Sequence, residues 1–330
     1  MILTLLSTAL AQSIDVTLDP TWSQSLGLSE QEMENAFSAA AGADLRLDDQ
    51  AQYITSMARA AALSARGLGV DYASNPQRFV VGGGFGTAVS GAGAQFGRGD
   101  ALLPEGGFAF QVAAMAGLNL GVFASEESFA RRFVLYANGM ALSTNGDPLS
   151  GDLQNLGAHL QVQLVRPKGT GKPVEWGGMA LTGGWEQTSY TTALSADIPQ
   201  SVQQDGYQID WDATGSYTIE AETESFPIEL STNLRILLLN VYGGAALDIA
   251  SASASSVIKL EGPLSVQFDG SGEPIGSATI ELGDNAGFEA YVPRVFVGSQ
   301  VEILVIKIYG HLNVGLDDSF GGHLGARVAL

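Results

Sequence analysis

The chain has 330 residues, 42 of them glycine and none cysteine, with 15 basic against 35 acidic side chains for a net charge of −20. The missing cysteines exclude a disulfide scaffold and a thiolate metal site, the acidic balance argues against a nucleic-acid partner, and no run approaches the ~18 apolar residues of a transmembrane helix. Mean hydropathy is nonetheless positive, and only 15% of residues are charged, so apolar surface must face something other than water.

Residues 1–11 read as a secretory signal. Ile2 to Leu6 form a short apolar core, and Ala9-Leu10-Ala11 is a small-x-small site before Gln12. An ordinary buried first strand is the other reading. Without a cysteine after the small residues a lipoprotein anchor is excluded. Residues 12–76 form a helical prefix. Ser13 to Gly27 is polar and irregular. Ser29 with Glu32 is a capping box that predicts a helix from about Glu30 to Ala41. A second helix is expected from about Asp48 to Arg66, ended by Gly67 and Gly69. Its small, alanine-rich face makes a poor core of its own. The prefix is expected either in the mouth of the following domain, in the periplasm, or as a plug in a lumen.

From residue 77 to 330 the pattern changes to period two, which means strands with one apolar and one polar face. Phe108 to Val122, Phe133 to Ala141, Ala158 to Leu164, Leu237 to Ile249, Ile258 to Phe268 and Ala278 to Leu282 each hold this alternation. The tail is the clearest case. Leu304, Ile306, Ile308, Leu312, Val314 and Leu316 alternate with Lys307, Tyr309, His311 and Asn313. After an Asp317-Asp318-Ser319 turn the pattern resumes to Leu330. Ser231-Thr232-Asn233 and Gly283-Asp284-Asn285 look like short turns, Leu142 to Gly151 and Ser195 to Gly215 like long polar loops. Together these predict an all-β fold, a closed antiparallel transmembrane β-barrel of about 12 strands, with 14 the other even count. A secreted β-sandwich would also alternate. Long strands and charges confined to one parity favour the membrane, where Arg or Lys on the lipid face costs ~2–4 kcal/mol.

The signal, the helical prefix and the alternation running to the last residue resemble Gram-negative outer-membrane β-barrel proteins. Within that class, Asn75-Pro76 leading into the glycine-rich run at Phe79 to Gly86 is similar to the FadL family of hydrophobic-compound transporters. That family has an N-terminal plug and an Asn-Pro-Ala signature, where this chain has Gln77. Leu330 stands where the class usually ends in an aromatic. The resemblance implies an outer-membrane location, and as partners outer-membrane lipid and lipopolysaccharide, the barrel-assembly machinery and a small-molecule solute.

The candidate lumen-lining residues carry both signs: Arg132, Lys259, Glu261, Glu281, Arg294, Lys307, His311 and Arg327. They either brace the wall or line a path. Asp210-Trp211-Asp212-Ala213-Thr214-Gly215 begins like a calcium loop and then departs from it. With Asp205 and Glu220 it makes a weak candidate cation site, against a solvated acidic loop. No His-x-Ser pair accompanies His159, His311 or His323, so no catalytic residue and no cofactor is expected. The expected function is passive passage of small solutes, hydrophobic ones included. The alternatives are a non-transporting structural or partner-binding barrel and the secreted sandwich.

Overall fold

The computed structural model describes residues 4–44, 50–74, 76, 78–91, 106–125, 127–169, 173–204, 206–268 and 271–330. Eleven strands form one antiparallel sheet: β1 (Thr4–Leu18), β2 (Phe79–Ser90), β3 (Gly107–Asn119), β4 (Phe133–Asn145), β5 (Leu149–Val165), β6 (Val174–Gln204), β7 (Tyr207–Ile236), β8 (Leu239–Phe268), β9 (Ser271–Ile303), β10 (Ile306–Gly315) and β11 (Ser319–Ala329). Three helices lie near the N-terminus, α1 (Pro20–Leu26), α2 (Glu30–Asp44) and α3 (Gln50–Ser64). β2 to β11 pair in chain order, and β11 pairs back onto β2 over Ser319–Ala329, so ten strands form a ring.

The strands fall into two lengths. β6 to β9 each run 30 to 33 residues, against 10 to 17 for the rest of the ring. Their distal halves therefore project beyond the ring, where β1 joins the free edge of β9 by pairing with residues 276–289. On the inner side of this projection Val16, Leu18, Met33, Phe37, Ile209, Trp211, Leu260 and Leu264 form an apolar core capped by α2. Phe37 meets Trp211 at 5.1 Å between ring centroids.

Each long strand inverts its chemistry part-way along. On β8 the outward residues Leu239, Val241, Leu247 and Ile249 are exposed and apolar, then Ser251 and Ser253 take over at the same parity. The inward residues change the opposite way, from Asn240, Tyr242 and Asp248 to Ala250, Ala252, Ala254, Ile258 and Leu260, all buried. On β7 the outward sequence Glu220, Glu222, Glu224 gives way to Phe226, Ile228, Leu230. On β9 Glu289 is followed outward by Tyr291. The register puts these switches side by side, with Phe226 opposite Ile249 and Ile249 opposite Tyr291, and Glu224 opposite Ser251 and Ser251 opposite Glu289. One line around the molecule thus separates an apolar outside from a polar one.

Several expectations are corrected here. Among the described residues the ring has ten strands, not twelve or fourteen. From Leu239 onward the runs Leu237 to Ile249 and Ile258 to Phe268 belong to one strand, β8, because the serines between them are its outward face above the line. Thr232 and Asp284 lie inside β7 and β9, paired with Gly243 and Ser256, and are not turns. The turn after β7 is Leu237-Leu238. Leu142 to Gly151 and Ser195 to Gly215 are hairpin ends with strand pairing, not loops. Ser13 to Gly27 holds the end of β1 and all of α1. The Ala9-Leu10-Ala11 site falls where the pairing of β1 with β9 changes register, between Thr8 and Ala11. The two expected helices form as α2 and α3, and the capping box closes both ways: Glu32 N donates to Ser29 Oγ at 3.3 Å and Ser29 N to Glu32 Oε2 at 3.2 Å. In the tail Ile306, Ile308, Leu312 and Val314 face out while Lys307, Tyr309, His311 and Asn313 are buried inside.

Candidate functional site

Among the described residues, charged groups are buried together inside the ring, and the chain's own prefix occupies that space. α3 enters from the projecting side. Its Ile54 and Ala58 pack on the alanines of β8 and on Phe288, and its backbone at Ser56 and Met57 lies so close to Gly107 that no side chain fits there. The segment after α3 continues along the lumen. Wall side chains take its carbonyls in order: His323 Nε2 is 2.9 Å from Ser64 O, Asn313 Nδ2 donates to Arg66 O at 3.0 Å, and Arg327 Nη1 to Val70 O at 3.1 Å. Asn233 Nδ2 then donates to Tyr72 O at 3.0 Å, Asn240 Nδ2 to Ala73 O at 2.6 Å and Asn119 Nδ2 to Pro76 O at 2.9 Å. The segment runs in turns and bends that satisfy few of its carbonyls, so these six donors from β3, β7, β8, β10 and β11 pair carbonyls that burial would otherwise leave unpaired. Gly67, at φ +91, provides the left-handed residue at the end of α3, with its Cα side against the His311 ring.

Charge locks the segment sideways. Arg66 of the segment pairs with Glu186 and, at 3.1 Å, with Asp248. Asp248 also accepts from Arg294 Nε at 2.8 Å, and Arg294 pairs with Glu229 and donates to Asn313 Oδ1 at 2.7 Å. Tyr72 Oη of the segment donates to Glu229 Oε2 at 2.6 Å. Asp71 pairs with Arg327 at 3.2 Å. Tyr72 stacks on His311, which stacks in turn on Phe296 and His323 at 5.3 and 5.4 Å. His159 lies 3.3 Å from Glu186. Below the segment, at the end of the ring with short turns, a cavity of about 260 Å³ is lined by Glu175, Asn233, Arg235, Asn240, Glu302 and Lys307. Its charges are already matched: Arg235 with Glu175, and Lys307 Nζ donating to Glu302 Oε1 at 3.0 Å.

Of the eight candidate lumen residues, Arg294, Lys307, His311 and Arg327 are inside the ring. The other four are not. Arg132 ends the 3₁₀ turn Phe129–Arg132 at the rim, with its guanidinium over the Phe129 ring at 5.1 Å. Lys259 and Glu261 pair with each other on the outward face of β8, and Glu281 stands outward on β9 opposite Lys259. In the projection the inside is apolar, so the charged parity there is the outer one. The candidate cation site is not assembled either. Asp205 and the Asn75 and Gln77 of the plug signature lie outside the described residues. Asp210, Asp212 and Glu220 are outward on the single strand β7, and ten residues at ~3.3 Å each hold Asp210 and Glu220 too far apart for one ion. Asp210 instead accepts from Ser201 Oγ and Gln208 Nε2, which hold its carboxyl below the usual range. Among the described residues no group of three His, Asp or Glu could hold a metal. Arg66, Asp71, Glu186, Glu229 and Asp248 were missed by the sequence pattern. Their signal was a lone charge at inward parity between apolar neighbours, as in Leu247-Asp248-Ile249 and Ile228-Glu229-Leu230.

Fold and lumen define a class: an antiparallel β-ring, apolar outside and polar inside, filled by its own N-terminal segment. The chain belongs to the Lsa36-like family, whose model matches residues 14–330. No curated protein matches it. Solved structures similar to it are the outer membrane protein Omp33 of Acinetobacter baumannii (11% identity, TM-score 0.28, 77% of this chain and 99% of that one), a FadL homologue of Pseudomonas aeruginosa (11%, 0.25, 83% and 98%) and the translocator domain of the autotransporter NalP from Neisseria meningitidis (9%, 0.28, 90% and 99%).

Proposed function

We propose that the protein is an integral outer-membrane barrel held shut by its own N-terminal segment, and that in this form it serves as a membrane-anchored structural or partner-binding protein. The observation that carries the reading is the continuous line where the outward face of β7, β8 and β9 passes from Glu224, Ser251 and Glu289 to Phe226, Ile249 and Tyr291. From there to the turn after β7 is about ten residues, which at the usual barrel tilt is close to the ~25 Å apolar band of such barrels. Tyr291, 61% exposed, stands at the line where a membrane-interface aromatic belongs. Leu237 and Leu304 adopt φ of 57° and 59° at two-residue turns, positions that in water favour Asn or Gly. Leucine at a strained, exposed tip suits a tip at the lipid–water boundary, apolar toward the headgroups and still open to water.

Passage of small solutes is the second reading, and the 260 Å³ vestibule favours it. It requires the segment from Arg66 to Pro76 to leave the lumen. Two measurements on the protein refolded in detergent and reconstituted in planar bilayers decide between them. A closed membrane barrel migrates faster before boiling than after, and carries no steady current. A protein that stays monodisperse without detergent sinks the membrane reading. Steady conductance of the intact chain sinks the closed-lumen reading and restores transport.

A further inference from the structure

We infer that the protein threads its own N-terminus through its barrel, so that the unit preceding α3 stands outside the cell while the C-terminus lies in the periplasm. The inference rests on the outer-membrane reading above and adds a direction to it. The path of the chain is fixed by its contacts. α2 packs on the projecting ends of β6 and β7, α3 lies inside the ring beside Gly107, and Asn119 takes Pro76 O at the opposite rim. Arg78 N then donates to Leu330 O at 2.8 Å as β2 begins. The chain therefore passes from one mouth of the ring to the other before forming its first ring strand. At the exit β7–β8 and β9–β10 are joined by the two-residue turns Leu237-Leu238 and Leu304-Val305, and β3–β4 and β5–β6 by residues 120–132 and 166–173, none of which carries a strand beyond the ring among the described residues, whereas the other end carries the long projecting hairpins. Barrels of this membrane place short turns in the periplasm and long connections outside. The N-terminal unit is accordingly on the outer side.

The same geometry dictates an order of assembly. α3 and the segment after it already fill the lumen, and a folded unit of two helices and five strand ends is wider than they are. Once folded outside, that unit cannot pass back. The ring must close around the thread, and the β11–β2 seam, whose β2 end is continuous with the thread, is where closure leaves no chain to pull through. Anything joined ahead of α1 would be carried to the cell surface by the same route.

The chain has no cysteine, so single substitutions report sidedness cleanly. Gln24→Cys in α1, Asp212→Cys on the projecting part of β7 and Leu238→Cys at the short turn are all at exposed positions. Each full-length variant is treated, in intact cells and after the envelope is breached, with a membrane-impermeant maleimide. Near-complete labelling of the first two in intact cells, and of Leu238→Cys only after breach, is expected. If Asp212→Cys labels in intact cells but Gln24→Cys does not, the threading is overturned while the outer-membrane reading stands. If Leu238→Cys labels in intact cells, the direction is overturned. If none labels until breach, or the protein fractionates as soluble, the outer-membrane reading itself has failed.

Discussion

Arg294 is the residue on which the lumen depends most. It is fully buried, with its guanidinium divided among Asp248, Glu229 and Asn313. Two carboxylates in such a place are tolerable only with a cation between them. Arg294→Met takes the cation from between the two acids, leaving Glu229 to the Tyr72 hydroxyl and Asp248 to Arg66, so a loss of about 3–5 kcal/mol is expected from breaking one side of a buried network. Chemical denaturation followed by loss of the compact electrophoretic form measures it. Arg66 shares Asp248 with Arg294, so Arg66→Met should loosen the segment more than the wall, with conductance rising before stability falls. A smaller effect belongs to Glu32, outside the ring. Its hydrogen bonds with Ser29 hold its carboxyl below the ordinary value. A depressed folded pKa contributes stability that is present above the unfolded pKa, about 4.3, and is lost as pH falls through the lower folded one. Circular dichroism of Glu32→Gln should lack the acid-side part of the helix loss that the parent shows between those two values.

At the scale of the element, the informative object is a single strand carrying two surfaces. β8 is outward-apolar to Ile249 and outward-polar from Ser251. In the proposed membrane barrel an arginine placed at Leu247 would face hydrocarbon near the line, and at Leu230 of β7 deeper in the band, where the cost is ~2–4 kcal/mol at midplane and falls toward the interface. The same arginine at Ser253 should cost almost nothing. Folding yield into lipid vesicles across Leu230→Arg, Leu247→Arg and Ser253→Arg should rise in that order, and equal yields would mean the line is misplaced. This element also shows how far alternation could be read. Period two correctly assigned the faces of β10 and β11, because a slip of one residue would have put Lys307 and Arg327 outside. It could not join Leu237–Ile249 to Ile258–Phe268, since a reader expecting one apolar face per strand takes Ser-Ala-Ser-Ala-Ser-Ser for a linker. Serine and alanine there are still alternating, but the contrast between them is weak and its sense has reversed. The small alanine face of α3 was legible for the same reason that β3 carries Gly107: both are shaped for close approach. Gly107→Val should therefore force α3 out of its seat, and the measurable sign is protease cleavage within residues 50–64, which the parent resists.

At the scale of the molecule, four of the ring's ten strands also build the projection, yet ring and projection owe their stability to different causes. The ring has no free edge, and its outside is apolar. The projection ends in two edges, β1 and the last third of β6, and relies on an ordinary core of Trp211, Phe37, Ile209 and Leu264 sealed by α2. Helix and strand positions here were readable from the sequence. The lumen contacts were not, because they join residues such as Arg66 and Asp248, 182 positions apart, and only closure of the ring brings them together. If the two parts are held by different forces, denaturant should separate them. Trp211 and Trp22 sit in the projection, Trp176 and Trp185 on the outer face of the ring, so emission from a Trp176→Phe, Trp185→Phe variant reports on the projection alone. Its red shift is expected at a lower denaturant concentration than the loss of the fast-migrating form, because an open-edged sheet lacks the closure that protects the ring. Coincident midpoints would instead mean that the continuous backbone ladders of β6 to β9 make the molecule one cooperative unit, and that the projection is as much a part of it as the strands of the closed ring.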